Sequence, residues 1–255
     1  MANSHVAFQT ILLKEISRFT RVWIQTLLPP GITTLLYFLI FGHVMGARIG
    51  LMHGVSYIQY IAPGLVMMNV INNAYANTSS SFLQAKFFRS IEELLAAPVS
   101  NNVILAGFIM GGVIRGLAVA IVVTTVALCF THIHVIHPFL TLMTVLLTAA
   151  LFSIAGMINA IYAKKFDDIS IIPTFILTPL TYLGGVFYSV HLLPGIWPEI
   201  SLFNPILYFV SLFRYGLLNI SDINIYVGFT VLIGMLLILY IIAWWLIDKG
   251  VGIKT

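Results

Sequence analysis

Between Gly116 and Ala163 the chain carries no charged residue, and this uncharged stretch limits what it can fold into. A polar turn at 131–138 divides the stretch into two apolar runs, and the first run extends back past Arg115 to about Val103. A membrane-spanning helix needs about 20 predominantly apolar residues, and its backbone groups must be hydrogen-bonded internally because lipid offers no partners. We therefore predict two spanning helices joined by a short outer hairpin.

The rest of the chain has the same character. Hydrophobic residues make up 60% of it and charged residues 8%, whereas soluble domains carry about 25% charged residues. Further apolar runs at 22–41, 57–79, 173–188 and 225–247 bring the expected number of crossings to about six. We predict an all-α integral membrane protein whose residues 1–255 form a single transmembrane domain.

Basic residues determine the expected orientation. Most of the 12 Lys and Arg residues fall on one side of the membrane if both termini share that side, and the positive-inside rule assigns that side to the cytoplasm. Arg48 and Arg214 would then be outside. The inner cations are Lys14, Arg18, Arg21, Lys86, Arg89, Lys164, Lys165, Lys249 and Lys254.

Two segments have the pattern of short amphipathic helices rather than of crossings. Residues 1–21 place apolar side chains at helical spacing with Lys14, Arg18 and Arg21 between them, which predicts an interfacial helix, with an ordinary cytosolic helix as the alternative. Residues 86–100 alternate apolar and charged side chains. Ser90 and Glu93 have capping-box spacing there, so we expect a short inner helix, with a plain connector as the alternative.

Polar residues inside the predicted spans are costly in lipid and therefore mark candidate sites. The second span carries Asn69, Asn72, Asn73 and Asn77 on one face, which would either line a path or bond to a neighbouring helix. Arg115 lies inside the third span, where it would be either functional or a structural anchor. The same span contains glycines at a spacing that permits close approach of another helix, namely Gly107, Gly111, Gly112 and Gly116.

The stretch 173–215 begins as a crossing and then breaks at Leu193–Pro198. The apolar run that follows, 202–213, is too short to cross, so we predict an outer re-entrant region over 190–216. Asn204 and Pro205 suit a helix start. Arg214 near the end of that helix would complement free carbonyls and could meet lipid phosphate or an anionic cargo, although a packed outer cap is the alternative.

The same stretch carries a family resemblance. Its pattern of glycine, aromatic, proline and arginine residues resembles the signature of the type-2 ABC exporter permeases, a family that includes drug, nodulation-factor and O-antigen exporters. Three further segments are similar to this family: one that begins at Tyr60, one at 91–100 and one at 166–170. The matching signature residues are Gly184, Gly185, Phe187, Tyr188, Leu193, Pro194, Asn204, Pro205, Tyr208 and Arg214.

The resemblance implies a permease subunit in the bacterial inner membrane, a homodimer with the cargo path at its interface. ATP and Mg would be bound by a separate ATPase subunit, and this chain would hold no cofactor. The segment 86–100 would dock on that ATPase through Phe87, Ile91, Glu92, Glu93, Leu94, Leu95 and Pro98. The path or its gate would involve Asn69, Asn72, Asn73, Asn77, Arg115, Asn204, Pro205 and Arg214.

Other activities find little support in the residues. The chain contains no G-x-x-x-x-G-K-[ST], G-x-S-x-G or H-E-x-x-H pattern, so we do not expect an enzyme. The dispersed cations do not suggest nucleic-acid binding. His132, His134 and His137 have no acidic neighbours in their outer turn, so we do not expect a metal site there.

Two alternatives remain open beside the permease. An ion-coupled secondary transporter normally places a carboxylate within a span, and we expect all the acidic residues in loops or at helix ends. A membrane-embedded enzyme needs clustered catalytic groups at one membrane face, and only adjacent acidic pairs such as Asp167 and Asp168 are clustered here.

Overall fold

The computed structural model describes residues 4–252, together with all side chains among them except those of His43, Val44 and Ala47. Lys254, one of the predicted inner cations, lies outside the described residues. Helices account for most of the described chain, and the two strands cover only two residues each, which confirms the nearly all-α class. Its short elements are the strands β1 (Leu51–Met52) and β2 (Val55–Ser56), helices α3 (Gly46–Ile49), α5 (Ser90–Ala96), α8 (Asp168–Ile172), α9 (Thr178–Tyr182) and α10 (Trp197–Ser201), and a 3₁₀ turn, Val190–Leu192.

The longer helices carry the architecture. They are α1 (Ser4–Arg21), α2 (Trp23–Tyr37), α4 (Tyr57–Phe87), α6 (Asn101–Leu128), α7 (Pro138–Tyr162), α11 (Pro205–Leu218) and α12 (Ile225–Lys249). Among residues 4–252, four helices are long and apolar enough to cross a bilayer: Trp23–Gly42, Asn101–Leu128, Pro138–Tyr162 and Ile225–Lys249. At a rise of about 1.5 Å per residue, even 20 residues cover the hydrocarbon core of about 30 Å.

Helix α4 is the centre of the protomer and packs against α6, α7 and α11. It begins with a capping box, in which the Ser56 hydroxyl accepts from the Gln59 amide at 3.3 Å and the Gln59 side chain accepts from the Ser56 amide at 3.1 Å. The sequence ended this helix near residue 79, but it continues to Phe87. Lys86 therefore lies in the last turn of α4 rather than at the start of the short inner helix predicted over 86–100, and its Nζ donates to carbonyl oxygens at the end of α7.

Glycines on α6 permit the predicted close packing. A Cβ atom at Gly107 would lie 2.6 Å from Ile11, and one at Gly111 would lie 2.6 Å from Cβ of Glu15, so α1 sits directly against the α6 backbone. On the other face, Gly112 faces Ser153 of α7 and Thr78 of α4. Because these glycines have no side chain, α1, α4 and α7 can all pack closely against α6.

The residues between the first two predicted spans, 42–56, were expected to form an outer loop, and this is wrong in the first half. The helix continues from α2 through π-helical turns at Phe38–Met45 into α3, and only then does the chain turn into the β1–β2 hairpin. His53 (φ 50°) and Gly54 (φ 84°) adopt the left-handed conformation at the tip. The helical path therefore runs through Gly42 and His43, the residues that suggested a loop in the sequence.

The fifth predicted crossing begins and ends earlier in the chain than expected. It runs as α8, a π-helical piece at Pro173–Leu177, and α9, and it ends at Tyr182 rather than at residue 188. Gly185 has φ 69°, which turns the chain there and ends the helical path. After the turn, α11 extends to Leu218, beyond its predicted end at 213, and packs against α4, α7 and α12.

Candidate functional site

A polar cluster joins the N-terminal helix to the centre of the protomer. Glu15 is 1% exposed, and its carboxylate accepts hydrogen bonds from the Ser81 hydroxyl and from Nδ2 of Asn77 at 3.3 Å. Arg18 lies 3.3 Å from the same carboxylate and donates to Oδ1 of Asn77 at 2.8 Å and to Ser80 at 3.3 Å. Because a buried charge is costly unless it is paired, these contacts hold α1 against α4.

The sequence assigned Glu15 to a loop or a helix end, and this is wrong. Glu15 occupies the middle of α1, in the buried row that Ile11 and Phe19 form with it at four-residue intervals. That spacing was visible in the sequence and could have placed Glu15 on the packed face. In the structure α1 packs against α4 and α6, with the Glu15–Arg18 ion pair near its middle.

The predicted asparagine stripe lies next to this cluster, and most of its side chains meet neighbouring helices of the same protomer. Nδ2 of Asn69 is 3.3 Å from Thr34 of α2, Asn77 binds α1, and Asn73 accepts from Arg115 of α6 at 3.1 Å. Nδ2 of Asn72 donates to the Met68 carbonyl oxygen within its own helix. Asn69 and Asn77 are buried, whereas Asn72, Asn73 and Arg115 are half-buried.

A second cluster lies at the opposite end of α4 and centres on Arg214. This side chain is completely buried, its guanidinium stacks 4.0 Å above the ring of Tyr60, and it donates to the carbonyl oxygens of Tyr60 at 3.2 Å and Gly185 at 2.6 Å. Arg214 was expected in an outer loop, in reach of lipid phosphate or cargo. In this structure the rest of the chain encloses the Arg214 side chain, because carbonyl oxygens and a carboxylate pair with its permanent charge there.

That carboxylate belongs to Asp222, which sequence reasoning did not single out. Its side chain is 1% exposed, and it lies 3.4 Å from Arg214 and accepts from the hydroxyls of Tyr60 at 3.0 Å and Ser189 at 2.6 Å. His53 of the hairpin is 3.2 Å from Ser189. The cluster thus joins α4, α11 and three loops. In the sequence Asp222 resembles an ordinary acidic residue of a loop, and only its separation of eight residues from Arg214 suggests an ion pair between the two.

Asn204 and Pro205 start α11 as predicted. The Asn204 side chain accepts from the amide of Ile206 at 3.0 Å, and Pro205 occupies the first helical position. Nδ2 of Asn204 also donates to the carbonyl oxygen of Leu180 at 2.6 Å. The Asn204 side chain therefore attaches the start of α11 to α9, and this contact sets the position of Arg214 further along α11.

The expected coupling segment forms helix α5, but without the predicted capping box. Arg89 precedes the helix with φ 56°, and the Ser90 hydroxyl donates to the carbonyl oxygen of Ala85 instead. Ile91 is buried, and Leu94 and Leu95 pack partly against the same inner core. The remaining predicted coupling residues are exposed or half-buried: Phe87, Glu92, Glu93 and Pro98.

A second loop meets this segment. Phe87 stacks on Phe166, with ring centroids 5.1 Å apart and planes 11° from parallel. Phe166 belongs to the turn before α8, where Asp168 accepts from the amides of Lys164 and Lys165 at 2.8 and 2.9 Å. The two loops therefore present one continuous surface.

These features define a multi-pass membrane protein with polar clusters at both ends of a central helix. The chain belongs to the ABC-2 type transporter family, which matches residues 6–218. It is similar to the Inner membrane transport permease YadH of Escherichia coli and of Shigella flexneri, with 55% identity over 250 residues and 98% of each chain covered. It is more distantly similar to Nodulation protein J of Rhizobium leguminosarum bv. viciae, with 23% identity over 190 residues and 73% of each chain covered.

The comparisons confirm the predicted family and identify the chain as a transport permease of the inner membrane rather than an enzyme. Membership also sets the two alternative classes aside. Both buried acids that the structure reveals, Glu15 and Asp222, are paired with arginine, so neither resembles the free carboxylate that ion coupling needs.

Proposed function

We propose that the chain is the permease subunit of an ABC exporter, that it forms a homodimer with the cargo path at the interface, and that a separate ATPase binding ATP and Mg drives it. The observation that carries this proposal is membership of the ABC-2 family together with a 55% identical inner-membrane permease. Alternating access would follow from nucleotide-driven movement of the coupling segments.

The proposed topology has six crossings with both termini in the cytoplasm. Four are the long apolar helices, and the other two are α4 and the helical path that follows Asp168. Helix α4 is more polar than the others, and two of its asparagines, Asn69 and Asn77, are buried against neighbouring helices. Helix α1 would lie at the inner surface, and α10 and α11 would form the outer re-entrant region.

The ATPase docks, in this proposal, on the exposed side of α5 and on the adjoining Phe166. Ile91, Leu94 and Leu95 anchor α5 to the inner core, so movement of α5 is passed to α4 and α7. Glu92, Glu93, Phe87 and Pro98 remain available to a partner. A rigid anchor beneath an exposed face is what a coupling element requires.

The cargo path would follow the one face of α4 that the protomer leaves partly open. Asn72, Asn73 and Ser80 are half-buried and Ala76 is exposed there, and Arg115 lies beside them. Polar groups half-open to lipid are costly, so a second copy or a water-filled path would be the natural cover. Asn204, Pro205 and Arg214 would act at the outer end by holding the gate closed.

The decisive experiment reconstitutes the permease with its ATPase in liposomes. We expect no ATP hydrolysis by the isolated permease and coupled hydrolysis by the complex. Ala96→Arg adds charge and bulk to the exposed side of α5 without entering the core, so it should lower co-purification of the ATPase and coupled hydrolysis at least ten-fold.

The matched control is Leu51→Arg, which adds the same side chain to the exposed outer hairpin. It should leave ATPase binding unchanged. Full coupled hydrolysis by Ala96→Arg, or equal loss in both variants, would contradict docking at α5. Hydrolysis by the isolated permease would contradict the division of labour.

A further inference from the structure

A cavity of about 590 Å³ opens between α1, the end of α4, α5 and α6. Its lining includes three cations of α1, Lys14, Arg18 and Arg21, and the polar side chains of Ser81 and Gln84. A cavity of this volume falls within the size range of ligand pockets.

The charge in this cavity is only partly compensated. Glu15 neutralises Arg18, but among residues 4–252 neither Lys14 nor Arg21 forms an ion pair. Glu93 lies with Lys14 on a smaller neighbouring cavity of about 260 Å³ and is exposed to solvent. The cations are four and three residues apart on one helix, where like charges repel, and a bound anion would relieve that repulsion.

The cavity is also apolar on one side. Phe88, which lines it, is 74% exposed, and Val22 beside it is 40% exposed. Together the walls offer a cationic end for a phosphate and an apolar edge for an acyl chain. Arginine suits phosphate because its planar guanidinium can donate two parallel hydrogen bonds.

We propose that this cavity binds the phosphate headgroup of an anionic phospholipid of the inner leaflet. The proposal relies on the proposed function only for placing α1 at the inner membrane surface. It does not depend on where the ATPase docks, and the bound lipid would hold α1 against α5 and α6.

The test uses the purified full chain in detergent. Phosphatidylglycerol, phosphatidylcholine and inorganic phosphate are added separately, and thermal unfolding and lipid retention in native mass spectrometry are measured. Phosphatidylglycerol should raise the unfolding temperature and be retained, whereas phosphatidylcholine and inorganic phosphate should have little effect. An equal effect of phosphatidylcholine would show apolar filling only, an equal effect of phosphate would show a free-anion site, and either result would overturn the proposal.

The variant Lys14→Gln/Arg21→Gln removes the two unpaired cations and leaves the Glu15–Arg18 pair intact. It should weaken phosphatidylglycerol binding about 30-fold, since each basic residue near an anionic lipid contributes about a five-fold factor. Lys164→Gln/Lys165→Gln removes two exposed cations elsewhere and should bind normally. Lys14→Arg/Arg21→Lys keeps both charges and should bind nearly normally, which separates a folding defect from lost charge. Unchanged binding by the double glutamine variant would overturn the proposal. No ATPase is present, so failure here would leave the docking proposal untouched.

Discussion

Buried arginine–carboxylate pairs are the defining feature of this protein at the residue scale. Removing one partner of such a pair leaves an uncompensated buried charge and costs about 3–5 kcal/mol, although the intact pair adds little net stability. Arg214 illustrates this, because its guanidinium also satisfies the carbonyls of Tyr60 and Gly185. We therefore expect the main effect of replacing Arg214 to be a loss of folding stability.

We expect Arg214→Met to lower the unfolding temperature strongly, because Asp222 would be left charged and buried. Arg214→Lys should recover only part of the loss, since one ammonium cannot reach both carbonyls and the carboxylate. Arg48→Met removes an exposed outer arginine and serves as the control, with little expected change. Unfolding followed by fluorescence-detected size exclusion measures all three. If Arg214→Met were as stable as the control, the pair would not hold the outer end together.

Asp168 allows a prediction about pH. Hydrogen bonds from the amides of Lys164 and Lys165 hold the pKa of its carboxyl below the ordinary value. A depressed pKa means that the carboxylate stabilises the turn above the unfolded pKa, and that this support is lost as pH falls through the folded value. Carbon-13 NMR of labelled aspartate should show the Asp168 midpoint below that of an unstructured peptide 163–170. A midpoint equal to the peptide's would mean that these bonds do not persist in solution.

At the scale of elements, close packing on α6 determines where α1 lies. A side chain at Gly111 would collide with Glu15, and the charged cluster around Glu15 extends the contact to α4. An amphipathic pattern predicted only a helix at the membrane surface. The glycines and the buried acid turn that helix into an integral part of the protomer, and they place it next to α5.

Gly111→Ala should therefore loosen α1. Overpacking of a tight contact costs about 1–3 kcal/mol, and the expected result is a lower unfolding temperature with faster proteolysis between α1 and α2. Gly234→Ala in α12 is the matched control, because a Cβ atom there meets nothing within 4 Å. Since alanine has a higher helix propensity than glycine, the control variant should have an unchanged or slightly higher unfolding temperature. Equal behaviour of the two variants would show that α1 tolerates displacement from α6.

At the scale of the whole molecule, α4 connects the Glu15–Arg18 cluster to the Arg214–Asp222 cluster. The first cluster lies beside α5 and the second joins α11 to the hairpin, so a shift of α4 would move both. The half-open polar face between them is where the proposed second copy would meet the first.

Cysteines placed singly at Asn72 and Ala76 test that arrangement. Cys129 is exposed and must first be replaced by serine. We expect crosslinks between identical positions of two protomers, with yields that change at least two-fold when the complex is trapped with ATP. Met110→Cys on α6, also an exposed position, provides a comparison on another face. Absence of any crosslink at Asn72 and Ala76, with labelling that ignores nucleotide, would place this face against lipid.

The sequence by itself determined the membrane class, the long helices, the family and the start of α11 at Asn204, because hydropathy, helical period and capping are local properties. It did not reveal the length of α4, because polar residues at 80, 81, 84 and 86 interrupt the apolar pattern beyond residue 79, and it did not reveal the burial of Arg214. Only the tertiary structure decided which charges are paired. Tyr60 and Asp222 are 162 residues apart, and Arg18 and Asn77 are 59 apart. No local pattern encodes such contacts, since they exist only when distant helices pack closely enough to exclude water and lipid.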